Sequence, residues 1–426
     1  MKQMPEDGGL RAVSRKFLTT AILLIASATL IGAIGSVTGN AFLRELHPYI
    51  FFIGFGNLTI LLLNHYLISA IYPKLKVEPA KEVHLIGVVL VAIALVALAL
   101  ALHQPLLKSV AGLLLLYFVS EGIIGIFRSL SLSELWKELS VRYYLFDILF
   151  LFVGNVGLFT LGLKEAFPDW EVIPFFVTRS SYFLGSSFPL SISVMGFLYS
   201  YAWSRSSKRE LATRLFSIWF YTFIGGVLCF LLLILLGQYL GMMLVSHLLL
   251  FGVIGLLHSF ARFLNTFFHK NFPHPALAFL LGGLSLLFVT SGFGIMNIFF
   301  LKGVPFGTVP PLSIDRMWIY HSHTHAALLG WITFSFTGIA YIVVPAIMQT
   351  GSLELLRSDK ALGELLDRVV RRRAFVQLTV MLLSSLVLLV AFYLQQMAVL
   401  AVAGTVYAVA LVYLLLNLRV VLYGNR

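Results

Sequence analysis

The sequence contains little charge and almost no cysteine. Charged residues make up 11% of the 426 residues, with 18 acidic against 30 basic side chains. A soluble domain carries roughly 25% charged residues, so a water-soluble fold is excluded, and so are disordered and nucleic-acid-binding proteins. The lone Cys229 cannot form an internal disulfide, which excludes a disulfide-rich secreted scaffold. Hydrophobic residues account for 59% of the chain and predict an integral membrane protein.

Long apolar runs predict an all-α polytopic membrane protein with about twelve transmembrane helices. About 20 apolar residues cross a bilayer as a helix. The runs cover residues 17–38, 48–72, 83–103, 109–128, 142–163, 173–203, 215–239, 242–267, 276–300, 316–347, 374–397 and 399–422. Because no secretory cleavage pattern precedes the first run, we expect it to be a true membrane span.

The distribution of Lys and Arg predicts the orientation in the membrane. Most basic residues lie at the two termini and in the loops that follow even-numbered runs. The other loops contain only Arg44, Lys108, Lys164, Arg179, Lys302 and Arg316. Short cytoplasmic loops are enriched in Lys and Arg. We therefore expect a protein of the cytoplasmic (inner) membrane with both termini in the cytoplasm.

A polar stretch at residues 349–373 interrupts the apolar pattern between the tenth and eleventh runs. It is rich in Leu, Glu, Asp and Arg, and predicts either a cytoplasmic amphipathic helix or a solvated linker. The chain shows no internal repeat. We expect residues 1–426 to form a single transmembrane domain.

The most informative polar residues are histidines at the outer ends of two predicted helices. His321, His323 and His325 lie within five residues at the start of the tenth helix, and His47 lies at the start of the second. These positions place both groups at similar depth on the same side of the membrane. Ionisable residues inside a span are costly, and they indicate a functional site by default. An interfacial polar cluster is the alternative.

The spacing of these histidines favours planar cofactors over a compact metal site. At about 100° per residue, His323 and His325 point roughly 200° apart, while His321 and His325 share a face. Imidazoles on opposite faces of one helix do not readily bind one metal ion, but each can bind a separate haem. A haem iron takes one or two axial ligands, often imidazole. His47, at equal depth, could supply the second ligand of a bis-histidine haem.

These motifs resemble those of the haem–copper oxidase subunit I superfamily, in particular its cbb-type cytochrome oxidase and nitric oxide reductase branches. The matching segments are Arg44-Glu-Leu-His47 and the region from Trp318 through His321-Ser-His-Thr-His325 to Pro345. The resemblance implies an oxidase-like helical bundle. It also implies that His47 and His325 hold a low-spin haem and that His323 holds a high-spin haem.

The chain departs from this family at the catalytic metal. The family uses one histidine of helix 6 and two adjacent histidines of helix 7 to hold copper or non-haem iron, whereas residues 142–239 contain no histidine. Neutral imidazole is the ligand that a copper centre prefers. We therefore expect haem b, one or two per chain, and no copper.

Further candidates surround the proposed haem ligands. Arg44 and Arg316 lie at the outer boundary, where a guanidinium can pair with a haem propionate or contact a lipid headgroup. His321 and His247 are lower-ranked ligand candidates, because both lie near the outer surface.

The function expected from the sequence is that of a haem b subunit of a respiratory electron-transfer complex. The lone cysteine excludes a haem c attachment motif, so electrons would come from a partner: a cytochrome c, another redox subunit on the outer face, or quinol. One alternative is a complete terminal oxidase or nitric oxide reductase with atypical metal ligands. Another is a transporter or proton channel gated by the histidine cluster. Only the haem hypotheses require haem absorbance, and only the oxidase requires a second metal.

Overall fold

The fold of the described residues is entirely helical. The computed structural model describes residues 6–170, 190–204, 206, 208–271, 274–302, 317–351, 366 and 368–423, and no strand occurs among them. The helices are α1 Glu6–Thr38, α2 Ala41–Ile71, α3 Pro79–Ala101, α4 Leu106–Ser129, α5 Leu139–Ala166, α6 190–204, α7 Arg209–Leu235, α8 Tyr239–Asn271, α9 Pro275–Lys302, α10 Trp318–Thr350, α11 Arg368–Leu394 and α12 Met397–Asn417.

Of these twelve helices, all except α6 are long and apolar enough to cross a membrane. Two shorter helices occupy Leu132–Lys137 and Arg419–Tyr423. The expectation of an all-α polytopic membrane protein is therefore confirmed. The sixth expected span, 173–203, is described only from residue 190, where it is helical, so the count of twelve stays a prediction. Most of the polar stretch 349–373, including 352–365, lies outside the described residues, and so does Arg316.

The second span begins earlier than its apolar run predicts. The run starts at Pro48, whereas α2 starts at Ala41. The side chain of Asn40 accepts a hydrogen bond from the Leu43 N–H (3.1 Å) and so caps the helix. The polar residues and the proline obscured this first part of the helix in the hydropathy pattern. His47 therefore lies within α2 rather than in front of it.

Helices α2 and α10 form the centre of the bundle. In the most apolar 18-residue segment of each, 89% of the residues are buried within the protein, compared with 17% for the corresponding segment of α8. Because α8 leaves most of its apolar surface uncovered, its natural neighbour is lipid. Both central helices begin at the same end of the bundle, which we call the histidine end. The described chain ends meet at the opposite end, where an Arg15 side-chain N–H donates to the Leu422 carbonyl (3.3 Å).

Both central helices widen into a π-helix just after their histidines. The π-helical segments are Ile50–Gly56 in α2 and Ala326–Ile332 in α10. Backbone carbonyls of both segments accept hydrogen bonds from side chains. The Asn57 amide donates to the Phe52 carbonyl (3.3 Å), and the Thr333 hydroxyl donates to the Leu328 carbonyl (2.6 Å). Such segments are rare and occur often at functional sites.

Candidate functional site

His47 of α2 and His325 of α10 face each other at the histidine end. Their ring centroids are 6.4 Å apart and the ring planes differ by 25°. Metal–imidazole nitrogen bonds measure about 2.0–2.1 Å, and a ring centre lies about 1.1 Å behind its nitrogen, so two imidazoles on opposite sides of one ion have centroids about 6.3 Å apart. The observed centroid separation matches this value.

Backbone hydrogen bonding fixes the tautomer of His325. Its Nδ1 lies 2.8 Å from the His321 carbonyl oxygen, which can only accept, so Nδ1 carries the proton. This leaves the lone pair of Nε2 available to a metal. Such outer hydrogen bonds orient histidine ligands in metal sites.

The backbone of α2 also lies against the His47 ring. The carbonyl groups of Leu43 and Arg44, one turn earlier, are close enough to interact with it. Because Pro48 has no N–H, the Arg44 carbonyl lacks its usual helical donor and is available to the ring. The Nδ1 atom itself makes no hydrogen bond of ordinary geometry among the described atoms, so the His47 ring is held less firmly than that of His325.

A cavity of about 510 Å³ opens beside the two histidines. Pockets that hold drug-sized ligands measure roughly 300–1,000 Å³ and are mostly apolar with a few polar groups. Helices α1, α2, α10, α11 and α12 contribute to the lining. The apolar lining residues include Ala28, Phe51, Phe52, Leu328, Leu388 and Leu400, and the polar ones include Arg44, His47, Tyr320, His321 and His325.

Gly32 of α1 allows the His47 ring to lie directly against the α1 backbone. A Cβ atom at position 32 would lie 2.9 Å from Cδ2 of His47 and 3.1 Å from its Cγ. Gly32 is not predictable as a site residue from the sequence, where its only signal is its place in a glycine-containing stretch near the end of α1. By contrast, Gly54 and Gly330 pack against aliphatic side chains of other helices.

The Phe392 ring of α11 packs against the rings of His321 and His325. Its ring lies 5.4 Å from the His321 ring with an interplanar angle of 19°, and 4.7 Å from the His325 ring. The sequence offered no signal for this contact, because α11 contains many large apolar residues. His321 thus lines the cavity next to His325 but packs against an aromatic ring.

Arg44 also lines the cavity, and its guanidinium donates to the Gly39 carbonyl (3.3 Å). Its side chain is exposed at the mouth of the cavity. It is therefore in a position to meet an anionic group of a bound ligand. Arg316, the other predicted partner of such a group, lies outside the described residues.

His323 points away from this cavity, as its angular separation from His325 predicts. Its Nδ1 donates to the Thr290 carbonyl on α9 (2.8 Å), and the Thr290 hydroxyl donates to the His323 carbonyl. A Cβ at Gly294 would lie 2.9 Å from Cε1 of this ring. The described residues that line the cavity do not include His323.

His247 of α8 lies apart from the facing pair. Its Nδ1 donates to the Met243 carbonyl within the same helix (2.7 Å), and its ring meets Phe299 edge-on at 6.0 Å. The cavity lining does not include it. The structure thus brings together His47, His325, His321 and Arg44, and leaves His323 and His247 outside.

Within the described part of the chain, no group of three or more His, Cys, Asp or Glu side chains is arranged to hold a metal ion. The facing pair is a two-ligand arrangement, which suits a metal whose other ligands come from a cofactor. Comparison with known proteins adds no relative: no family model and no curated protein matches this chain.

Proposed function

We propose that this protein is a haem-containing membrane subunit of an electron-transfer complex, with one haem b held between His47 and His325. The observation that carries the proposal is the facing of these rings at 6.4 Å. The adjoining cavity and the free Nε2 of His325 support it. When bound, haem supplies one-electron transfer.

The surrounding residues have separate roles in this proposal. His47 and His325 bind the iron, and the His321 carbonyl orients the His325 ring. Arg44 pairs with a propionate by a charge-assisted hydrogen bond. Gly32 provides room for His47, and Phe392 limits rotation of His325. A second haem on His323 remains part of the sequence-based prediction, supported by the Nδ1 hydrogen bond that leaves its Nε2 free.

The orientation follows from charge. The described chain ends meet at the end of the bundle opposite the histidines. Basic loop residues, among them Lys74 and Lys81, belong to that end, which we place in the cytoplasm of a cell with an inner membrane. The haem then lies near the outer face. Its electron partner there is a cytochrome c, another redox subunit or quinol, in an arrangement like that of the haem–copper oxidase superfamily.

The test is optical. Purified protein should give a reduced-minus-oxidised haem spectrum and a positive pyridine haemochrome assay. Substitution of His47→Ala or His325→Ala should abolish the low-spin signal, whereas His84→Ala, an exposed histidine of α3, should leave it unchanged. A colourless wild-type protein would refute the proposal and favour a transporter. Stoichiometric copper or non-haem iron in metal analysis would instead indicate a complete oxidase or reductase.

A further inference from the structure

Asp147 of α5 is a fully buried carboxyl group far from the haem site. It lies eight residues after the start of the helix at Leu139, about 12 Å from the end opposite the histidines. The Asn64 amide of α2 donates to its Oδ2 (3.1 Å), and Asn64 in turn accepts from the Ser193 hydroxyl of α6 (2.7 Å). Its other oxygen, Oδ1, is buried and makes no hydrogen bond of ordinary geometry among the described atoms, although the Ser193 backbone N–H faces the carboxyl group.

Among the described residues, no cation pairs with this carboxyl group. Arg142, the nearest cation along the chain, lies five residues earlier on the same helix. It donates instead to the Trp136 carbonyl (2.7 Å) and the Tyr221 hydroxyl (3.3 Å), with its guanidinium over the Trp136 ring. None of the ion pairs between described residues includes Asp147.

The described groups that face Asp147 from the neighbouring helices are neutral. They are the Asn64 side chain from α2 and the Ser193 backbone from α6. An isolated ionised carboxylate in an apolar, water-free environment is very costly, and such groups bind a proton instead. Burial and neutral described surroundings together favour the neutral acid.

Side-chain hydroxyl groups lie between Asp147 and the nearer end of the bundle. On α5, Tyr144 and Ser140 precede Asp147 by three and seven residues on the same face, and both are buried. On the facing helix α6, Ser200 and Ser204 follow Ser193 by seven and eleven residues. The side chains of Tyr144 and Ser200 lie within hydrogen-bonding reach of each other.

The two helices touch along this line. A Cβ at Gly196 would lie 2.8 Å from the Tyr144 ring and 3.2 Å from the Ser140 carbonyl oxygen. We call the residues Ser140, Tyr144, Ser193, Ser200 and Ser204 the hydroxyl seam. A hydroxyl can both donate and accept hydrogen bonds, which is the property that proton transfer along a chain of groups requires.

We propose that Asp147 is an intramembrane proton-binding site that exchanges its proton with the cytoplasmic end of the bundle through the hydroxyl seam. The ligand is a proton, bound as the O–H of the neutral carboxylic acid and released to the seam. The site is separate from the histidine pair, so its occupancy does not require haem.

Infrared spectroscopy of the full chain in lipid vesicles tests the bound proton. We expect a carboxylic-acid C=O band at neutral pH that shifts when the protein is labelled with ¹³C-aspartate, a test that needs no substitution. The band should disappear in Asp147→Asn and persist in Glu121→Gln, which removes an exposed carboxyl group of α4. Absence of an aspartate-dependent band in the labelled wild type would overturn the proposal, as would its persistence in Asp147→Asn.

Exchange in D₂O tests the route. Ser200→Ala should slow deuterium exchange of the band at least several-fold, whereas Ser285→Ala, an exposed serine of α9, should not alter the exchange rate. Equal rates in both variants would refute the seam as the route. Because the two sites are separate, Asp147→Asn should keep the haem spectrum. A wild-type protein without haem absorbance would refute the proposed function, but it would leave the proton-binding proposal for Asp147 unaffected.

Discussion

Gly32 provides a direct test of the close contact between α1 and His47. In Gly32→Ala, the new Cβ would lie 2.9 Å from Cδ2 of His47, whereas ordinary contacts begin at 3.4 Å. Because the second contact is to Cγ of the same ring (3.1 Å), the ring must move as a whole by about 0.5 Å, a displacement at the limit that a functional ligand constellation tolerates.

The size of the effect follows from overpacking. Inserting a methyl group into a packed site costs about 1–3 kcal/mol, which corresponds to roughly a 5- to 150-fold loss of haem affinity if the strain falls on the ligand. Haem titration of the apoprotein, followed by the low-spin spectrum, measures this loss.

Gly87→Ala is the matched control, since no atom lies within 4 Å of a Cβ at that position in α3. Alanine there should leave haem affinity unchanged and raise stability by about 0.5–1 kcal/mol, as expected for glycine replacement inside a helix. If Gly32→Ala bound haem with wild-type affinity and an unchanged spectrum, His47 would not be the ligand positioned by α1.

Three further predictions concern the supports of the bundle. Tyr407→Phe removes the hydroxyl that donates to a π-helical carbonyl of α10 and should lower the free energy of unfolding by about 1–3 kcal/mol in chemical denaturation; no change would contradict that role. Gly294→Ala should displace the His323 ring yet leave the low-spin spectrum intact, and loss of that spectrum would move the ligand role to His323. In the loop region, hydrogen bonds from Lys74 and Ser131 lower the pKa of Glu134 to about 2. The contribution of ionised Glu134 to the stability of the fold is therefore present above the ordinary glutamate pKa and is lost as the pH falls towards 2. Thermal melting at stepped pH should show this loss in the wild type and a weaker one in Lys74→Met.

The sequence predicts the membrane-spanning helices well because each is encoded by its own run of apolar residues. It also predicts that His47 and His325 lie at similar depth, since depth follows from position along a helix of known rise. Whether the two rings face each other also depends on how α2 and α10 are rotated about their own axes. That rotation depends on packing against α1 and α11. Gly32 and Phe392 mediate that packing, and neither carries a local signal.

The environment of Asp147 shows a second limit of sequence reasoning. Arg142 is the nearest cation along the chain, but a separation of five residues does not place two side chains on the same face of a helix. Arg142 meets the ring and carbonyl of Trp136 instead. The partner of Asp147, Asn64, lies 83 residues away in sequence, and only the fold brings them together.

The two π-helical segments make the histidine pair sensitive to how tightly each helix is wound. A π-helical turn contains more residues than an α-helical one, so each residue turns the chain through a smaller angle than the about 100° of an α-helix. If residues 50–56 kept their number but adopted regular α geometry, this difference would accumulate over the segment and rotate His47 relative to the remainder of α2. His47 would then point away from His325 although no residue at the site had changed. The meeting of the two rings therefore depends on the π-helical geometry of each helix as well as on the identity of its residues.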